Sequence, residues 1–319
     1  MKKNIRIIEC EAEKKQLISK FANLVSKELV NELTAFSYAN NSLLAMTKDW
    51  NLFVEFCNSK HVSPLPASST ALRLFIERES KLRKYSTIKR YVVTIGLFHR
   101  VLGLSDPSAT SNVKLALGKT RLDKKGDAKS TVPFEIHHLN QLDEIFADSP
   151  HPRDIRNLAI YHVMFCSLAK RSELKNLQIS DLVSSVDGKY SIRIGANTYP
   201  IDEFGSMSIE RWAALRNANS NWLFTAIDKH GNVADQRLDD SSIFRIVRSA
   251  SEKLGLTSQF SGQSLRVGAA KELAKQGIKV KDIQQIGRWM SAAMPYYYLG
   301  NKPLADTERM VFKTFKPIS

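Results

Sequence analysis

No stretch of this chain approaches the ~18 uncharged apolar residues that a membrane-crossing helix requires. Its first residues, Met1-Lys2-Lys3-Asn4-Ile5-Arg6-Ile7-Ile8-Glu9, lack the apolar core of a secretory signal. Membrane and secreted classes are thereby set aside, and a cytoplasmic protein is expected. Cysteine is scarce: Cys10, Cys57 and Cys166 share no spacing motif. Cys57 and Cys166 each lie in an apolar run, which suits buried free thiols. No pair of His or Cys has zinc-ligand spacing except the adjacent His137 and His138, and these read as an ordinary polar helix start. No metal and no cofactor are expected, and no repeat of 20–50 residues is visible.

Acidic residues are also in the minority. Against 47 Lys+Arg stand 32 Asp+Glu, a formal net charge of +15. The excess is uneven: residues 1–130 carry 23 basic against 12 acidic side chains, residues 131–319 carry 24 against 20, and 81–129 alone carry 12 against 3. A local basic concentration points to a polyanionic partner, most simply nucleic acid. A merely soluble basic surface is the other reading. The 319 residues allow two domains, and an apolar fraction of 43% supplies their cores.

Residues 1–32 alternate charged and apolar positions and read as an arm or an extra helix. From about 37, Leu43, Met46, Trp50, Phe53, Val54 and Cys57 recur at three- and four-residue intervals, one buried face of a helix. Pro64 and Pro66 break it, and a second helix carries Leu72, Phe75 and Ile76. Ser86 is the expected cap of a third, with Ile88, Tyr91, Val92, Ile95, Phe98 and Leu102, ending at Gly103. A fourth is expected over about 110–118. Lys81, Arg83, Lys84, Lys89 and Arg90 cluster around the start of the third helix, where basic side chains suit phosphate contact. Residues 119–131 have one sizeable apolar residue and five basic ones, among them Arg121, Lys124 and Lys125, and read as a basic linker that lies along a phosphate backbone.

Beyond it the pattern gives helices over about 136–147 and 153–168, where His162 reads as a satisfied core or boundary histidine. Tyr190–Gly195 and Thr198–Ile201 alternate across a short turn, as a hairpin does. Ser208 is the expected cap of a helix with Trp212, and another helix spans 241–254. The expected fold class is therefore mainly α, an all-helical domain at 33–118 followed by an α-rich domain at 132–319 with a small antiparallel sheet.

The stretch 260–299 is the most specific. It runs Ser261-Gly262-Gln263-Ser264-Leu265-Arg266, then Gly287-Arg288-Trp289, then Tyr296-Tyr297-Tyr298. With Lys170-Arg171-Ser172-Glu173-Leu174 upstream and the hairpin between, it resembles the tyrosine recombinase (phage integrase) family, and most closely its Cre-like members. The resemblance covers about 35–316. It implies transesterification at a DNA phosphodiester, in which a tyrosine hydroxyl attacks phosphorus and leaves a covalent 3′-phosphotyrosyl link. Two arginines hold the non-bridging oxygens, a histidine and a Trp or His support them, and a hairpin lysine protonates the departing oxygen.

On this resemblance the nucleophile position falls on Tyr298, the second arginine on Arg266 and the support on Trp289. Three positions depart from the family. Lys170 stands at the first arginine and keeps a charge without the planar fork. Gln263 stands at the histidine and cannot exchange a proton near pH 7. Thr198 stands in the hairpin turn where the lysine is expected, with no lysine between Lys189 and Lys229. Losing one preorganised donor typically costs ~10²–10³ in rate.

The expectation is a site-specific binder of double-stranded DNA on a recombinase scaffold, impaired in strand cleavage and acting as a regulator of transcription or of a mobile element, or as an architectural factor, in the bacterial nucleoid. The alternative is an active recombinase or integrase. The resemblance also implies a homo-oligomer on DNA, formed through a C-terminal helix with Met310, Val311 and Phe315 apolar.

Overall fold

In the computed structural model, residues 5, 7–127, 130–185 and 188–314 are described, residues 313 and 314 as backbone alone. The chain divides into two compact units, Met1–Lys129 and Ser130–Ser319.

Among the described residues the first unit holds six α-helices: α1 (Glu11–Phe21), α2 (Lys27–Leu33), α3 (Asn40–Ser59), α4 (Ser69–Ser80), α5 (Tyr85–Val101) and α6 (Ser111–Asp123). Its centre is aromatic. Trp50 packs against Phe98 at 5.1 Å with the rings tilted, and Phe21 meets Phe98 edge-on at 5.3 Å. Trp50 Nε1 also donates to the Phe21 carbonyl at 3.0 Å. Helix α1 is thus pinned into the same core as α3 and α5, with Val25, Val30 and Leu33 buried beside it. His99 is buried within this unit, its Nε2 accepting from the Ala67 amide at 2.9 Å.

Two local expectations are corrected here. Ser86 does not cap α5. The helix begins at Tyr85, and the Asp127 carboxylate, 42 residues away, accepts from its amide at 2.7 Å. Helix α6 continues to Asp123 because Thr120 is buried and bonds back to Ala116, so five residues of the expected linker are helical. Arg90 is exposed, as expected, and also donates twice to the buried Asp49 carboxylate, at 2.8 and 2.9 Å, joining α5 to α3.

The second unit begins with α7 (Ile136–Phe146), α8 (Pro152–Cys166) and the single turn α9 (Arg171–Leu174). Strands β1 (Leu182–Ser184), β2 (Tyr190–Ile194) and β3 (Asn197–Pro200) form an antiparallel sheet in that order, with Ile194 opposite Asn197. Gly195, at φ +62°, makes the tight turn between β2 and β3 possible. Then come α10 (Glu203–Leu215), the hairpin β4 (Thr225–Ile227) and β5 (Val233–Arg237), and α11 (Asp240–Lys253). The chain closes with α12 (Ser264–Lys275), α13 (Val280–Ile286), α14 (Ala293–Tyr298) and α15 (Lys302–Thr314).

The core of this unit wraps α8, whose members Ile160, Tyr161, Val163 and Met164 are fully enclosed. The entering segment lies against α12: the Phe134 amide donates to Ser264 O at 3.0 Å, and a Cβ on Gly268 would stand 1.6 Å from the Phe134 carbonyl oxygen. His162 is enclosed as well, with Nε2 at 2.7 Å from Asp143 and Nδ1 at 3.2 Å from Asp202. The second of these is an ion-pair contact without hydrogen-bond geometry. The cap of α10 is Asp202, which accepts from Gly205 N at 2.7 Å, whereas the expected cap, Ser208, lies inside the helix and bonds to Phe204 O. Cys57 is buried, but Cys166, at the end of α8, is only partly so.

Candidate active site

Helix α12 turns Arg266 inward from its first turn, leaving it 2% exposed. One guanidinium nitrogen donates to the Leu168 carbonyl at 2.7 Å and another to the Gly287 carbonyl. The guanidinium carbon lies 4.2 Å from the centre of the Trp289 ring, a cation–π contact with the cation out of water. Burial pulls Arg266 down to about 10, which leaves it charged at neutral pH. The loop that brings Trp289 to it depends on Gly287, where a Cβ would stand 1.9 Å from the indole.

Helix α14 then settles the three tyrosines. Tyr298 meets the Trp289 ring edge-on at 5.9 Å, and its ionisation is pushed up by burial against the opposing charge of Arg266. Tyr297 is exposed and covered by Arg309 at 5.7 Å. Arg266, Trp289 and Tyr298 are therefore brought together.

The departing positions are not drawn in equally. Lys170 is exposed, its ammonium 3.2 Å from Glu173. Gln263 precedes α12 and is exposed, and Thr198 is exposed on β3. Arg171 points elsewhere, donating to the Asp240 carbonyl at 3.3 Å.

What fills the site beside Arg266 is Arg288, to which the sequence had given no role. It grips Glu173 with a two-pronged contact, Nε to Oε1 at 3.1 Å and a terminal nitrogen to Oε2 at 2.8 Å. It also donates to the carbonyls of Ser167, Leu168 and Ile286 and to the Tyr199 hydroxyl. Tyr199 in turn donates to Ile286 O at 2.8 Å, tying β3 to the end of α13. Burial raises the Glu173 carboxyl, but Arg288, the Lys170 amide and the charges of both outweigh it and hold it at about 2. Glu173 was visible only as part of the Lys170–Leu174 motif. Arg288 carries no signal of its own, because it reaches the site from a backbone at φ +56°, where side chains other than glycine are uncommon.

Of the basic side chains expected to meet phosphate, Lys81, Arg83, Lys84, Lys89, Arg121 and Lys125 are exposed, and Lys124 is half-buried. Arg83 lies 3.6 Å from the buried Glu79. On α15, Met310 and Val311 are exposed, whereas Phe315 lies outside the described residues. Among the described residues no group of His, Cys, Asp and Glu is arranged to hold a metal ion, and no helix is long and apolar enough to cross a membrane.

A mostly helical unit around a small antiparallel sheet, with this order of elements, is the fold of the tyrosine recombinase catalytic domain. Residues 131–303 match the phage integrase family, and the chain belongs to it. It is 25% identical over 301 residues to the recombinase Cre of Escherichia phage P1, covering 86% of this chain and 87% of that one. It is 25% identical over 281 residues to an integrase/recombinase XerD homolog of Selenomonas ruminantium, covering 82% of each. In fold it resembles the XerH site-specific recombinase bound to a palindromic difH substrate, with a TM-score of 0.64 at 13% identity, covering 98% of this chain and 92% of that one. It likewise resembles a lambda integrase dimer bound to a COC′ core site, with a TM-score of 0.60 at 13% identity and coverages of 86% and 94%.

Proposed function

We propose that this protein binds a specific double-stranded DNA site in the manner of a tyrosine recombinase, with strand cleavage impaired, and acts as a DNA-binding regulator or architectural factor in the bacterial cytoplasm. The observation that carries the second half of this reading is the setting of Tyr298. Its neighbours are Trp289, Tyr297 and the charge of Arg266. Among the described residues no hydrogen bond or ion pair ties its hydroxyl to a histidine, lysine or carboxylate. A phenol that burial makes harder to ionise is a poor nucleophile without a base. The positions at which the family places its proton-transfer groups hold Gln263 and Thr198, and neither titrates near neutrality.

The half of the site that binds charge keeps one of its two arginines. Arg266 uses two donors on main-chain carbonyls and has others for a non-bridging oxygen, and Lys170 adds an ammonium at the rim. The basic side chains of the first unit, Lys81, Arg83, Lys84 and Lys89 at the start of α5 and Arg121, Lys124 and Lys125 at the end of α6, supply backbone phosphate contacts. Met310 and Val311 on α15 dock onto a second copy on DNA.

Active recombination is the second reading, favoured by the adjacency of Tyr298 to a buried arginine. A nicked suicide DNA substrate separates the two. Site-specific, salt-sensitive binding with no covalent adduct is expected. An adduct that disappears in Tyr298→Phe would overturn the impaired-cleavage reading.

A further inference from the structure

We propose that Arg288 is a positioning residue of this site: its grip on Glu173 locks the segment that carries Trp289 and Tyr298 onto the segment that carries Lys170, and holds Arg266 and Tyr298 together for a phosphate. This deepens the phosphate-site reading above and rests on it. Three consecutive residues are held from three sides. Arg266 takes the Gly287 carbonyl, Glu173 takes the Arg288 fork, and the Trp289 ring lies between Arg266 and Tyr298. The far ends of these contacts meet again at Leu168, whose carbonyl accepts from both arginines.

The geometry shows why the contact positions rather than binds. Every nitrogen of the Arg288 guanidinium is already engaged, by Glu173, by Tyr199 and by the Ser167, Leu168 and Ile286 carbonyls. None is left free for a phosphate. Its effect passes through Glu173 instead. A carboxylate beside a phosphate site repels the anion and competes for Lys170. With both oxygens taken by Arg288, the carboxylate is compensated, and the exposed Lys170 ammonium is left with a single contact to it at 3.2 Å. The cost falls on the backbone. Position 288 sits at φ +56°, left-handed backbone that disfavours a residue with a Cβ. Glycine would meet no such cost there, so the arginine is held by its side-chain contacts.

The test uses the full chain with ring-labelled tyrosine, following Tyr298 (assigned through Tyr298→Phe) by NMR while pH and inorganic phosphate are varied. Arg288→Gly relieves the backbone and removes the fork, Arg288→Lys keeps the charge without the fork, and Glu173→Gln keeps the shape of the acceptor and removes its charge. In all three, Tyr298 is expected to titrate closer to an ordinary tyrosine, and in the two arginine variants, which leave the Glu173 carboxylate uncompensated, phosphate affinity is expected to fall about tenfold, a coupling of ordinary size. Wild-type behaviour in Arg288→Gly overturns the proposal, as does wild-type behaviour in Arg288→Lys alone, which would reduce the role to charge. Glu173→Gln keeps the proposal falsifiable if either arginine variant fails to fold. Adduct formation by the wild-type protein would sink the impaired-cleavage reading without touching this one.

Discussion

Arg266 and Arg288 donate to one main-chain carbonyl, that of Leu168, at 2.7 and 3.3 Å. Leu168 itself sits at φ +51°, so both this acceptor and the residue that brings the second arginine occupy left-handed backbone. Such strain is kept only where surrounding contacts over-determine it. Here the contacts are two guanidinium groups whose mutual repulsion is offset by Glu173.

Removing Arg266 should therefore harm folding as well as phosphate binding. Arg266→Ala leaves the Leu168 carbonyl short of its best donor and the Gly287 carbonyl without its guanidinium partner. A loss of about 2–4 kcal/mol is expected, read from the midpoint of urea denaturation. A midpoint equal to wild type would show that water replaces the guanidinium without loss.

The basic residues of the first unit should separate into two kinds. Arg83→Ala and Lys89→Ala should weaken DNA binding and lower the salt slope by about one each; Lys89→Ala should do so with little change in melting temperature, whereas Arg83→Ala also removes one of the two arginines beside the buried Glu79. Arg90→Ala strands the buried Asp49 carboxylate and should lower the melting temperature first. Filter binding across a salt series, paired with calorimetry, distinguishes them.

His162 gives an alkaline limb to stability. Burial alone would lower its ionisation, but Asp143 and Asp202 outweigh burial and raise it to about 11. A group raised in the folded state stabilises fully below its unfolded value, near 6.5, and that stabilisation fades as pH climbs towards 11. The melting temperature should fall from pH 7 to pH 10, with a shallower fall in His162→Gln. Parallel curves would remove His162 as the cause.

Restoring the family residues tests what else the site lacks. Lys170→Arg with Gln263→His should raise adduct formation on suicide DNA on the order of 10²-fold if Tyr298 and Arg266 are already in place. No gain would locate the deficit at Thr198, where the leaving oxygen needs its proton.

The faces of α3, α5 and α11 were legible because burial imposes a three-to-four-residue rhythm that a linear sequence keeps. Arg266, Trp289 and Tyr298 were legible through their spacing, and the structure puts them in contact. The cap of α5 was not, since Asp127 reaches Tyr85 from 42 residues on and Ser86 offered a nearer, more usual oxygen. Nor was Arg288, whose place depends on a backbone angle that its own side chain disfavours. The linker was drawn too early because Lys119, Thr120 and Arg121 look like solvent-exposed chain, while Thr120 is in fact buried in α6.

The closeness of Phe134 to Gly268 has a consequence for biosynthesis. The residues that open the second unit rest on a helix made from residues 264–275, so they cannot reach their final place until that helix has left the ribosome. At about 5–20 residues per second, that wait is on the order of ten seconds. Throughout it Phe134, destined to be fully enclosed against Phe260 at 5.0 Å, has no partner ring from the C-terminal segment. The nascent second unit is then the part of the chain most in need of a chaperone, while the first unit, with its own aromatic centre complete, has already been synthesised.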